Sequence, residues 1–220
     1  MNALLLALLV ATAAPPAPSP DTIAITRLRY DGGGDWYANP SSLPNLLTAI
    51  RTRAGIPVTA REETISLLDP SLPDHPYLYM TGHGNVAFST AERAALRAYL
   101  LGGGFLHADD NYGLDESFRR EISEVFPDAQ LTELPPDHPI FHLFYDFPRG
   151  LPKVHEHNGK APQAFGIFYG GRLVVLYTYE TDLGDGWEDE GVHDDPPEIR
   201  EQALRMGVNI FLYALGQAAS

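Results

Sequence analysis

Tyr77-Leu78-Tyr79-Met80-Thr81-Gly82-His83-Gly84, then Ser89-Thr90-Ala91-Glu92, then Gly102-Gly103-Gly104-Phe105-Leu106-His107-Ala108-Asp109-Asp110 is the stretch on which the fold turns. Tyr77 to Thr81 is a compact apolar run, the length of a buried strand, and it stops at a glycine-flanked histidine. Ser89 with Glu92 three residues later is a capping box, which opens a helix. Leu96, Tyr99 and Leu100 fall on one side of that helix, and the glycine triplet ends it. Phe105 to Ala108 is the next strand, and it ends in Asp109-Asp110. A strand, a helix and a strand in this order predict a mostly parallel sheet.

The same alternation extends both ways. Upstream, Ile23 to Tyr30 reads as a first strand with β-branched residues before a glycine cluster. Ser41 or Ser42 caps a helix whose Leu43, Leu46, Leu47 and Ile50 recur at i, i+3, i+4 and i+7, and Gly55 stops it. Pro57 to Arg61 is expected as a short second strand. Downstream, Asp115 or Ser117 starts a helix carrying Phe118, Ile122, Val125 and Phe126, which ends at Pro127. Residues 130–162 are rich in proline and histidine and read as irregular. Ala164–Tyr169 and Leu173–Tyr179 flank Gly170-Gly171-Arg172, a hairpin signal. Thr181 to Pro197 reads as an acidic loop. A last helix is expected from Glu198 to Leu215, with proline at its start and Gly216 at its end. The expectation is one α/β domain with a mostly parallel central sheet, over residues 23–217.

Composition narrows the partners. The 220 residues are 44% hydrophobic and 20% charged, which is globular. Net charge is −14, from 29 acidic against 15 basic side chains, so nucleic acid is not an expected partner. There is no cysteine, which removes disulfides, thiolate metal sites and thiol nucleophiles. Residues 1–14 read as a signal peptide: an apolar run from Ala3 to Ala11, then a small-x-small site at Ala11-Thr12-Ala13. Residues 15–22 form a proline-rich linker. The run is too short for a stable span, so the mature chain is expected in the periplasm or secreted, without a membrane anchor.

In parallel sheets ligands bind outside the carboxyl ends of the strands. Three loops leave such ends. The first offers Gly33, Gly34, Asp35, Trp36 and Tyr37; the second Gly82, His83 and Gly84; the third Asp109, Asp110, Asn111 and Tyr112. Glu180, at a later strand end, is expected to join them. Glycine lets backbone approach a ligand, and Trp36 and Tyr37 suit stacking on a sugar ring. Histidine is the side chain suited to moving protons at physiological pH, and His83 is a candidate base. Asp109 and Asp110 are candidates for acid–base work, because adjacent carboxylates behind four buried-looking residues are costly unless paired or solvated. Which of the two faces the ligand stays open.

Metal signatures are weak. His138 and His142 are separated by Pro139, against a zinc helix. His155 and His157 face one side of an extended segment, and a site joining them to His83 is left open. Asp182, Asp185 and Asp189 are oxygen donors for calcium without EF-hand spacing. The acidic run from Glu180 to Glu201 reads first as a solvated loop, no metal residue is assigned, and no cofactor is required by the sequence.

Leu28-Arg29-Tyr30-Asp31-Gly32-Gly33-Gly34-Asp35-Trp36-Tyr37, Pro44-Asn45-Leu46-Leu47, Thr81-Gly82-His83-Gly84, Gly103-Gly104-Phe105-Leu106, Asp109-Asp110-Asn111-Tyr112-Gly113, His138-Pro139-Ile140-Phe141 and Phe144-Tyr145 together resemble the bacterial domain-of-unknown-function family 4159. That family is similar to the class I glutamine amidotransferase-like superfamily. The resemblance implies a three-layer, flavodoxin-like fold and no established activity. Where an amidotransferase has its cysteine nucleophile, this chain has Ala108-Asp109-Asp110-Asn111-Tyr112-Gly113, so a thiol glutaminase is excluded. Besides a purely structural role in an envelope assembly, two functions stay open. One is a non-thiol domain, catalytic or not, that binds a small polar ligand such as a glycan, or an envelope protein. The other is a hydrolase-like enzyme using Asp109 or Asp110 with His83, with or without a divalent cation.

Overall fold

The structure is a computed structural model that describes residues 22–157 and 159–218. The expected signal peptide and nearly all of the linker lie outside the described residues. Seven strands form one sheet: β1 (Thr26–Leu28), β2 (Glu63–Ile65), β3 (Tyr77–Gly82), β4 (Phe105–Asp110), β5 (Thr132–Glu133), β6 (Gln163–Tyr169) and β7 (Arg172–Tyr179). Their order is β2-β1-β3-β4-β7-β6-β5. Pairings from β2 through β7 are parallel, whereas β6 and β5 run antiparallel at one edge. The glycine turn between β6 and β7 is the hairpin read from the sequence.

Alternation along the strands builds two cores. Tyr77 and Tyr79 of β3 and Phe105 of β4 pack with Leu43, Leu46 and Leu47 of α1 (Ser42–Ala49) and with Met206 and Phe211 of α5 (Pro197–Ala218). Leu78 and Met80 of β3 and Leu106 and Ala108 of β4 point the other way. They meet Leu96 and Leu100 of α2 (Thr90–Leu101) and Phe118 and Ile122 of α3 (Asp115–Val125). Both faces of the parallel sheet are thus covered, which is why its strands are continuously apolar.

Helix ends follow local chemistry. Ser89 Oγ accepts from Glu92 N at 3.2 Å, while Glu92 Oε2 accepts from Ser89 N at 2.8 Å, the expected capping box. The first helix passes into a π-helical turn, Ile50–Ala54, and Gly55 stops it at φ 69°. Among the described residues, no helix is long and apolar enough to cross a membrane.

Three expectations need correction. Within Pro57–Arg61 only Val58 pairs, in a single bridge to Ile23; the chain bends at Ala60 and Arg61, and the paired strand is β2. Gly216 does not close the last helix, which continues to Ala218. The acidic segment after β7 is not a solvated loop at its start: residues 181–188 are all buried and include α4 (Leu183–Trp187). Leu183 and Trp187 anchor it in the core, and the indole Nε1 donates to the Ala203 carbonyl at 2.8 Å. Two apolar side chains outweigh the acidic composition around them.

Candidate functional site

From β1 the chain order proceeds outward in both directions, to β2 on one side and to β3 and β4 on the other. The point of reversal lies between β1 and β3, where doubly wound sheets open a crevice at their carboxyl ends. The loops after β1 and β3 meet there. Gly34 N donates to the Asn85 carbonyl at 2.9 Å and Asp35 N to the His83 carbonyl at 3.2 Å. A Cβ on Gly34 would stand 2.9 Å from both of those carbonyl oxygens, so only glycine allows this approach. The glycine cluster therefore serves loop-to-loop packing.

That packing aligns an acid–imidazole pair. Asp35 Oδ1 accepts from the His83 amide, and Asp35 Oδ2 lies 3.1 Å from His83 Nδ1. The carboxylate orients the ring of an exposed side chain, the arrangement that prepares an imidazole for proton transfer. Trp36 is half-buried and meets Tyr37 edge-on at 5.5 Å, while Tyr37 is 64% exposed.

At the end of β4 the two aspartates take different parts. Asp109 is fully buried. Its Oδ1 accepts from Thr178 Oγ1 at 2.5 Å, and its Oδ2 from Gly184 N at 2.7 Å and Tyr79 Oη at 3.2 Å. Thr178 also meets His107 Nε2 at 3.0 Å, and Tyr77 Oη meets His107 Nδ1 at 3.1 Å, so one polar network runs through the sheet. Burial lifts the Asp109 carboxyl to about 7 against those donors. Asp110 caps the following turn, with Oδ1 accepting from Leu114 N at 2.9 Å. Burial first, then the charges of Asp115 and Glu180, raise it to about 6, while the Leu114 N–H and His83 pull it down. Asp110 is thus the aspartate in electrostatic reach of His83.

Beyond β4, Asn111 Nδ2 donates to Asn39 Oδ1 at 3.4 Å, and Asn39 Nδ2 donates to Asp185 Oδ1 at 2.7 Å. Tyr112 is 51% exposed and stacks on His157 at 4.4 Å. His157 Nε2 pairs with Asp182 Oδ2. Glu180 Oε2 lies 3.3 Å from Lys153 Nζ. Burial above all, then the charges of Asp109, Asp185 and Asp110, push the Asp182 carboxyl up to about 9.

Backbone conformation marks the same rim. Among the described residues the non-glycine positions with positive φ are Asn39, Tyr112, Glu180, Asp182 and Asp194. Asn39, Tyr112, Glu180 and Asp182 lie in the linked loops just described, and Asp194 follows His193, which faces Asp185. Such conformations cost of order 1–3 kcal/mol each and persist where surrounding structure imposes them, typically at functional sites.

The fold brings together Gly34, Asp35, Gly82, His83, Gly84, Asp110, Asn111, Tyr112 and Glu180 at the carboxyl edge, with Tyr37 and Gly33 at its outer margin. It separates Asp109, whose side chain faces the sheet interior. His138 and His142 serve local turns: His138 caps Ile140, and His142 Nδ1 lies 2.5 Å from Asp146 Oδ1.

The metal combination left open in the sequence is not the one assembled. His83 pairs with Asp35 and His157 with Asp182. Among the described residues, the group that could hold a cation is His155, Asp185 and His193, with one ligand atom from each within 4.8 Å of the others. His193 escaped sequence reasoning because Asp185 and Glu188 belong to a run read as solvated and His155 comes from a distant segment; the available signal was an imidazole set inside an acidic run.

Two clefts, of about 770 and 740 Å³, lie away from the rim. One is lined by Tyr145, Pro148 and Arg205 and shares Lys153 with the rim; the other is lined by Leu67, Pro76 and Tyr99 at the opposite edge of the sheet. The rim is an open face with aromatic margins.

Comparison with known proteins bears on this geometry. A family model described as Domain of unknown function (DUF4159) matches residues 24–215, and the chain belongs to that family. No curated protein matches it.

Proposed function

We propose that this chain is an exported domain that binds a small polar ligand, such as a glycan unit, on the carboxyl rim of its parallel strands. The observation that carries the reading is the concentration of positive-φ, non-glycine residues on the loops of that one rim. Tyr37 and Tyr112 offer exposed aromatic faces for a sugar ring, and Asp35 and His83 offer donors and acceptors on the same rim. Relation to the class I glutamine amidotransferase-like superfamily is part of the proposal. The order β2-β1-β3-β4-β7 and the sharp turn after β4, with Tyr112 at φ 69°, support it. The apolar run before residue 12 supports export.

Thermal denaturation with a panel of mono- and oligosaccharides tests the reading. At least one sugar should raise the midpoint, by about 2.7 kcal/mol of stability at a hundred times its Kd. Tyr112→Ala and His83→Ala should each abolish the rise. No stabilisation by any sugar, or a rise that survives both substitutions, contradicts it.

A hydrolytic reading is favoured by one observation. Asp110 is lifted to about 6 within electrostatic reach of an Asp35-oriented His83, which supports a carboxyl acid working with an imidazole. Turnover of a chromogenic glycoside that disappears in Asp110→Asn and in His83→Ala would support it. Unchanged turnover in both variants would remove the pair from any mechanism.

A further inference from the structure

The densest unexplained chemistry lies beside the rim. Six carboxylates there, Asp109, Asp110, Glu180, Asp182, Asp185 and Glu188, are each at most 7% exposed. Asp109 has its full set of neutral donors, and Lys153 faces Glu180. Asp185 has no such cation. Its Oδ1 is held by Asn39, while Oδ2 faces two imidazoles: His155 Nδ1 at 3.8 Å and His193 Nδ1 at 3.6 Å. Neither separation is a hydrogen bond. His155 Nδ1 is buried and has no hydrogen-bond partner among the described residues, and the same holds for Asp182 Oδ1 and Asp195 Oδ2.

We propose that His155, Asp185 and His193 form a binding site for a first-row divalent cation of the zinc class. Three ligand atoms too far apart to bond one another, yet all within 4.8 Å, are what a shared cation draws together. Zinc stands about 2.0–2.2 Å from imidazole nitrogen and carboxylate oxygen, which places its ligand atoms a little over 3 Å apart. The two imidazole distances to Asp185 need to close by only a few tenths of an ångström to meet that value, whereas the imidazole nitrogens, within 4.8 Å of one another, need to close by up to about 1.5 Å. Two imidazoles and one carboxylate select a borderline cation over calcium or magnesium, which prefer oxygen alone.

The outer contacts fit a metal ligand set. Asp185 is oriented by Asn39, itself held by Asn111. His193 Nε2 lies 3.3 Å from Glu188 Oε2 without a hydrogen bond between them, a gap that a small turn of the ring would close, and Glu188 Oε1 is fixed by Ser41 N and Oγ at 3.0 Å. An imidazole with metal on one nitrogen and a carboxylate against the other is a recurrent arrangement in such sites. His155 stacks on His157 at 5.0 Å, which fixes its ring plane. The Asp195 carboxylate lies within electrostatic reach of both imidazoles, and its buried Oδ2 has no hydrogen-bond partner among the described residues. Tyr112, stacked on His157, connects this site to the rim.

The test is calorimetric titration of chelator-treated, tag-free protein with ZnCl2, with thermal denaturation alongside. One equivalent should bind with micromolar or tighter Kd and raise the melting temperature. His193→Gln and His155→Gln, both at partly exposed positions, should weaken binding at least tenfold while circular dichroism stays unchanged. His83→Ala, outside the cluster, should bind zinc like the parent, which separates this site from the ligand reading. Equimolar CaCl2 should not displace zinc. Absence of stoichiometric binding, full affinity in both glutamine variants, loss in His83→Ala, or displacement by calcium would each overturn the assignment.

Discussion

At the residue scale, neighbouring side chains of one type do different work. Asp109 faces the sheet and closes a polar network, whereas Asp110 caps the turn before α3 and feels His83. The folded state raises the Asp110 carboxyl from its ordinary value to about 6, so it binds the proton more tightly than the unfolded chain does. The stability this contributes is complete below about pH 4 and is lost as pH rises through 6. Asp110→Asn keeps the acceptor for Leu114 N and removes the titration. Denaturant unfolding from pH 4 to 6.5 should show the parent losing about 2 kcal/mol relative to the variant. Parallel pH profiles would refute the assignment. Gly184 is a second sensitive position: a Cβ there would meet Tyr79 Oη at 2.7 Å and Asn39 Nδ2 at 2.8 Å. Gly184→Ala should cost about 1–3 kcal/mol in the same measurement.

At the element scale, the sequence made most helices and the long strands legible, because their signals are local. The Ser89–Glu92 box, the apolar stripes of α1 and α3 and the Gly170-Gly171 turn each act within a few residues. Ser89→Ala should therefore destabilise the protein by about 1 kcal/mol in chemical denaturation, and an unchanged midpoint would count against the cap. The failures are equally physical. Composition made residues 181–197 look solvated, yet Leu183 and Trp187 draw α4 into the core and its aspartates with it. Pro57–Arg61 had strand-like residues, but pairing needs a partner edge in register, and β1 offers that to Glu63–Ile65.

At the scale of the whole molecule, the sheet decides which loops meet. Glycine-bearing ends of β1, β3 and β4 were readable as candidates, since parallel strands must deliver them to one edge. The contacts of Asn39 with Asp185, and of His155 with His193 across Asp185, were not readable. They join chain segments whose approach depends on the packing of α1, α4 and α5. Asp109→Ala should expose that dependence: it strands Gly184 N, Tyr79 and Thr178 at once. A loss of about 3 kcal/mol or more is expected by chemical denaturation, against a loss below 1 kcal/mol if the network were incidental.

The claim beneath these readings is that the carboxyl rim is the receptive face. Amide chemical shifts of the labelled protein, followed by NMR during titration with the oligosaccharide panel, test it most directly. Shifts confined to Asp35, His83, Asn111, Tyr112 and Glu180 are predicted for any sugar that binds. Shifts centred on the Leu67–Tyr99 or Tyr145–Arg205 cleft, with the rim silent, would contradict it, as would silence throughout.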